Sequence, residues 1–171
     1  MLVLKNNKEE IMKNILIKVL VTTSILFGFG SLIYSQSAMP PGRYIDSDDT
    51  AGALANSLAD RPSFGVSRID NGDDFDINLI SRTTGAGAII HPDATEYHYI
   101  TEGAGVLVTG GVSVRPADGG SANIEGGLAQ RVTVGDMVVI PQGTPHQYTS
   151  VEGVVTYLEV RFHTEKYSGG N

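Results

Sequence analysis

The sequence predicts an all-β domain, a small sandwich or barrel, with one short helix in front of it. Three observations carry that expectation. Beyond Ser63 the chain is a succession of short apolar or alternating runs set off by Gly, Pro, Asn and Asp, which is the spacing of a many-stranded antiparallel protein. Ahead of it, one stretch places Leu54 and Leu58 four residues apart between acidic residues and a proline, as a short helix would. The length, 171 residues, suits one ordinary domain, or a small domain behind a leader.

The first 38 residues stand apart from the rest. Lys13 and Lys18 follow Met12, an alternative start, and the run Val19–Tyr34 carries no charge. Ser35, Gln36, Ser37 and Ala38 come next. A basic start, an apolar run and a small-residue exit make residues 1–38 a secretory signal peptide, cut after Ser37 or Ala38. The competing reading is a retained anchor, for which the run is short against a span of about 20 residues. The mature protein is therefore expected to be secreted or periplasmic, with no stable membrane anchor.

Residues 39–62 read as an extended arm, with Pro40, Pro41 and Gly42, followed by the helix. Asp48 and Asp49 favour its start and Pro62 ends it. Residues 63–165 are the barrel. Its first strands are Phe64–Ile69 and Phe75–Leu79, with a hairpin turn signalled by Asn71 and Gly72. Further strands are expected at Ala86–His91, Glu96–Thr101, Val106–Thr109, Arg131–Val134, Met137–Ile140, His146–Ser150 and Val154–Phe162. The glycine-rich stretch Gly110–Gly127 reads as a long loop, and its Gly119–Gly127 part as either a lid over the barrel mouth or simply mobile. Residues 166–171 form a flexible tail. Alternation assigns Ile77, Val106, Val108 and Leu158 to an apolar cavity wall.

Composition excludes several functions. There is no cysteine, which removes disulfides, thiolate metal sites, iron–sulfur clusters, thiol nucleophiles and lipoprotein anchoring. Twelve basic against 19 acidic residues leave a net charge of −7, so nucleic acid is not an expected partner. No phosphate loop, dinucleotide fingerprint or Ser–His–Asp arrangement is evident. Asp70, Asp73, Asp74 and Asp76 crowd the first hairpin, which reads as a solvated acidic turn ahead of a calcium site.

The chain has four histidines, and three fall in two windows. The first holds His91, Glu96, His98 and Gly103; the second holds Gly135, Pro141, Gly143 and His146. In a strand alternate residues share a face, so Glu96, His98 and Ile100 point one way, and His146, Tyr148 and Ser150 would do the same. Two or three imidazoles with a carboxylate, converging inside a barrel, make a ligand set for divalent Fe, Mn, Ni or Zn. His163 lies past the last expected strand, near Lys166, and reads as a surface residue.

These windows resemble the two motifs of the cupin superfamily, small single-domain members in particular. His91, Glu96 and Gly103 match the second histidine, the glutamate and the final glycine of the first motif. Gly135, Pro141, Gly143 and His146 match the second motif in full, with Ser150 where asparagine is usual. The first motif departs at Ile89, where its leading histidine belongs, and at Thr83, where its opening glycine belongs. The resemblance spans Ala86 to Phe162. It implies a double-stranded β-helix, or jelly roll, and a divalent transition metal held by His91, Glu96 and His146. His98 is either a fourth ligand or an acid–base residue beside the metal. It further implies a small organic ligand or substrate in the barrel, and a homodimer served by residues 39–63.

Two functions follow from the resemblance. One is a metal-dependent enzyme, oxygenase-like or lyase- or isomerase-like, acting on a small organic substrate. The other is a non-catalytic cupin that binds a small ligand or the metal itself. Ile89 favours the second and His98 the first. In a barrel without metal, His91 and Glu96 would be a polar pair and His98 a buried histidine hydrogen-bonded to Tyr148.

Overall fold

The structure is a computed structural model that describes residues 7, 10–16, 18 and 39–163. The apolar run and small-residue exit of the leader, and the tail 166–171, lie outside the described residues. The chain divides into two compact units, Met1–Arg43 and Tyr44–Asn171. In the first, residues 10–16 are helical. Among the described residues no helix is long and apolar enough to cross a membrane.

The second unit opens with helix α1, Ser47–Asp60. Asp46 caps it by accepting the Asp48 N–H at 2.8 Å, and Asp48 and Asp49 place negative charge at its positive end. Leu54 and Leu58 lie over Gly65, and the Ser57 hydroxyl accepts the Val66 N–H at 3.0 Å. The helix therefore packs on the outside of the first strand.

The described residues of this unit form strands β1 Phe64–Asn71, β2 Phe75–Arg82, β3 Ala94–Thr109, β4 Val112–Val114, β5 Asn123–Glu125, β6 Leu128–Thr133, β7 Met137–Ile140 and β8 His146–His163. The main antiparallel sheet runs β1-β2-β8-β3-β6, with β7 also on β3. β3 and β8 pair along almost their whole lengths, from Ala94 opposite His163 to Thr109 opposite His146. The curled sheet encloses a core of Ile80, Ile100, Leu107, Val132, Ile140, Tyr148, Val155 and Tyr157. This is the expected all-β barrel of the jelly-roll type.

Several sequence expectations change. Glu96–Thr101 and Val106–Thr109 are one strand, and so are His146–Ser150 and Val154–Phe162, because the chain continues through bulges rather than turns. Ala86–His91 is not a strand; it makes a single bridge, Ile89 to His146. The Gly110–Gly127 stretch carries its own two-stranded sheet, β4 with β5. It is tied to the body where Ala88 donates to the Ala122 carbonyl at 2.7 Å. The first hairpin turns at Asp73 and Asp74, two residues later than expected, since the Gly72 N–H already donates to the Phe75 carbonyl. His163 is the last residue of β8 and lies 3.3 Å from Asp76.

The expected cavity wall also changes. In β2 the inward residues are Asn78, Ile80 and Arg82, with Ile77 on the other face, and in β8 they are Tyr157 and Glu159, with Leu158 on the other face. In β3 the register shifts between Ile100 and Glu102, Gly103 and Gly105, and Val106 and Leu107. These bulges carry Leu107, rather than Val106, into the core, because each extra residue reverses which parity faces inward.

Gly103 marks this irregular stretch. Its φ is +67°, and a Cβ there would collide with the Val154 carbonyl across the β3–β8 pair. Only glycine tolerates both conditions. Gly103→Ala should lower the unfolding free energy by about 2 kcal/mol or more, read as the shift in urea denaturation. An unchanged midpoint would contradict this account of the bulge.

Candidate metal centre

Glu96 is the centre of the site. It sits on β3 at an inward position and is 1% exposed. The two oxygens of its carboxylate face different partners. His91 Nε2 and His146 Nε2 each lie 3.5 Å from Oε1. His98 Nε2 lies 3.3 Å from Oε2 and 3.8 Å from Glu159 Oε2.

Each imidazole arrives by a different route. His98 is two residues beyond Glu96 on β3 and so shares its face. His146 opens β8 after the Pro141–Pro145 turn, where Gly143 takes a φ of +74°. His91 lies on the irregular segment before β3. That segment is held where Ile89 and His146 exchange N–H to carbonyl bonds of 3.0 Å in both directions. The His91 carbonyl also accepts the Gly143 N–H at 2.9 Å. The bridge therefore joins the two sequence windows directly and brings their histidines together, with ring centroids 5.8 Å apart.

The electrostatics favour an ionised carboxylate beside a neutral imidazole. Burial alone would raise the Glu96 carboxyl. The His98 hydrogen bond, with the charges of His146, His91 and His98, outweighs burial and holds it below the ordinary carboxylate value. Burial pushes the His146 imidazole below its ordinary value, against the pull of Glu96 and of the Thr144 carbonyl. That carbonyl lies 3.2 Å from His146 Nδ1. With the Nδ1 proton donated there, the Nε2 lone pair faces Glu96.

This donor set fits a divalent transition metal. His91 Nε2 and His146 Nε2 are buried and have no hydrogen-bond partner, although both face Glu96 Oε1. One ligand atom from each of His91, Glu96 and His146 lies within 4.8 Å of the other two. Two nitrogens and one carboxylate oxygen suit Fe, Mn, Ni or Zn. His98 falls in a second such group, with Glu96 and Glu159. Among the described residues these are the two groups able to hold an ion, and the acidic first hairpin is not one of them.

Sequence reasoning missed Glu159. It is 2% exposed and stands directly opposite His98 across the β3–β8 pair. It accepts from Asn78 at 3.1 Å and lies 2.7 Å from an Arg161 nitrogen. The signal was there: Tyr157, Glu159 and Arg161 alternate, but assigning Leu158 to the interior placed Glu159 outside. Tyr148 and Tyr157 flank His98, with ring centroids 6.2 and 4.5 Å away. The Tyr148 hydroxyl makes no hydrogen bond to His98. Ser150 is exposed. Ile89 is 46% exposed and holds His146 through its main chain alone.

The Cupin family model matches residues 86–166, the span that carries both histidine windows. Residues 86–166 are a cupin domain by this match. No curated protein matches it. Among solved structures it resembles KdgF from a Halomonas species at 13% identity, with 72% of this chain and 94% of that one covered and a TM-score of 0.54. A predicted oxalate decarboxylase from Thermotoga maritima aligns at 14% identity over 58% and 80% of the two chains, with a TM-score of 0.46. FeII HppE aligns at 13% identity over 58% and 50%, with a TM-score of 0.47. The likeness to KdgF, at this identity, establishes the fold alone.

Acid should weaken the metal-free protein in two windows. His146 has a folded pKa below its ordinary 6.5, so the unfolded chain binds its proton first and stability falls as pH drops below that value. Glu96 lies below its ordinary 4.5, so a second loss begins below that value by the same sign. Melting temperatures across this range should show both, and His146→Gln should remove the upper one. A profile flat from pH 7 to 5 would contradict the assignment.

Proposed function

We propose that this chain is an exported, metal-dependent cupin that acts on a small organic substrate inside its barrel. His91, Glu96 and His146 hold the metal. The observation that carries this reading is the pair of buried, unpartnered Nε2 atoms aimed at one oxygen of a buried carboxylate. Burying polar atoms in that state is unfavourable unless something else satisfies them.

When bound, the metal would supply a Lewis acid with coordination positions left for substrate oxygens, water or O₂. The chain's own residues do the rest. The Thr144 carbonyl orients His146. His98 holds the second oxygen of Glu96 and lies 3.8 Å from Glu159, where it can hold or give up a proton beside the metal. This arrangement supports oxygenase-like or lyase- or isomerase-like chemistry equally. Export rests on the leader sequence, whose basic start, uncharged run and small-residue exit are those of a cleaved signal.

Ile89 supports a second reading, a non-catalytic cupin that binds a metal or a small ligand. It stands where the first motif has a histidine, and it offers no ligand atom from its side chain.

Metal analysis of the protein lacking residues 1–38 should give close to one equivalent of a transition metal. His91→Ala and His146→Ala should each lose at least about tenfold in metal affinity. A folded wild-type protein that stays metal-free after exposure to Fe(II), Mn(II), Ni(II) and Zn(II) would sink the reading. His98→Ala separates the two functions. Retained metal with lost turnover supports the enzyme, whereas a protein unchanged in both has a structural His98.

A further inference from the structure

The cavity beside the metal centre holds a positive charge that the centre does not use. Its volume is about 390 Å³, and Arg61, Arg82 and Arg161 are all in its wall. Arg161 is matched by Glu159 at 2.7 Å and Asp76 at 3.9 Å. Arg82 is different. It is 7% exposed, and among the described residues no carboxylate lies within ion-pair distance of it.

The contacts of Arg82 are aromatic. Its guanidinium lies 5.0 Å from the Phe64 ring centre, 5.1 Å from that of Tyr148 and 5.8 Å from that of Tyr157. Phe64 is its direct partner across the β1–β2 pair. Nη2 donates to the Tyr157 hydroxyl at 3.0 Å, whereas Nε is buried with no partner. Tyr148 is in the same cavity wall, and its hydroxyl is also buried with no partner. Burial raises the Tyr148 pKa, so its proton stays in place and can be donated. Two donors without acceptors therefore share one cavity with a buried cation. Aromatic faces offset only part of the desolvation of a guanidinium.

We propose that Arg82 and Tyr148 form a binding site for the carboxylate of a small organic acid. A carboxylate accepts from Arg82 Nε and Tyr148 Oη together and cancels a buried charge that is unmatched among the described residues. A phosphate would bring more negative charge than this site matches, since Arg161 is already paired with Glu159 and Arg61, 4.7 Å from the Phe64 ring centre, is exposed. The rest of the acid then faces His98 and His146, which line the same cavity. The proposal deepens the function above by naming the substrate class. It rests on that function only in calling the ligand a substrate, because the anion site needs no metal.

The test uses chelator-treated protein, with NMR titrations that follow the arginine Nε–Hε resonances. Probes are propionate against propionamide, benzoate against benzamide, and inorganic phosphate. At least one acid should bind at least tenfold more tightly than its amide and more tightly than phosphate, and should shift one buried arginine resonance. Tyr148→Phe keeps the ring and should weaken that acid several-fold; Arg82→Gln should abolish the preference over the amide. Acid binding is read on the chelator-treated protein and metal uptake separately on the untreated wild-type protein, so failure of metal uptake and failure of the anion site are separately visible. Equal affinity for acids and amides, tighter phosphate binding, or an unaffected Tyr148→Phe protein would each overturn the proposal.

Discussion

The structure depends on keeping one carboxylate charged inside a barrel. Glu96 is almost wholly buried, and an isolated ion there would be strongly unfavourable. His98 hydrogen-bonds one of its oxygens, and the Nε2 atoms of His91 and His146 face the other. Each must be delivered by a separate piece of chain. The turn before β8, the irregular segment around Ile89 and the inward face of β3 thus all bear on one group. The Ile89–His146 bridge is the joint between them. It explains why a segment with no strand of its own is still held in place.

Glu96 also divides the interior. Ile100, Leu107, Val132, Ile140 and Val155 fill an apolar core, whereas Asn78, Arg82, Glu159 and Arg161 belong to a polar region that continues into the cavity. Tyr148 and Tyr157 lie between the two. Their rings pack with the core, stack 5.1 Å from one another, and present hydroxyls toward the cationic side. A small barrel can give up part of its interior to charged groups when each is hydrogen-bonded or paired. Glu159 meets this condition through Asn78 and Arg161. Arg82 meets it only in part.

Much of this was legible in the sequence. Turn residues at short intervals indicated an all-β protein, and the motif glycines, Pro141 and the paired windows indicated a cupin barrel. The same windows named His91, Glu96 and His146. Strand ends and faces were less legible. A bulge leaves no local composition signal, so β3 and β8 each read as two strands. Apolar alternation in β2 and β8 pointed to Ile77 and Leu158, but the interior face there is polar because it borders the site. Periodicity reports that alternate residues share a face; it does not report which face is inside when both carry apolar groups.

By itself the sequence determined the class of fold, the residue types available for chemistry and the absence of any thiol, because these follow from composition and short-range spacing. Only the tertiary structure decided that His91 and His146 face one oxygen of Glu96 while His98 faces the other. It alone brought Glu159 opposite His98 and left Arg82 buried among aromatic rings. Those relations depend on the register between strands tens of residues apart in sequence, and register is set by packing and bulges across the whole sheet.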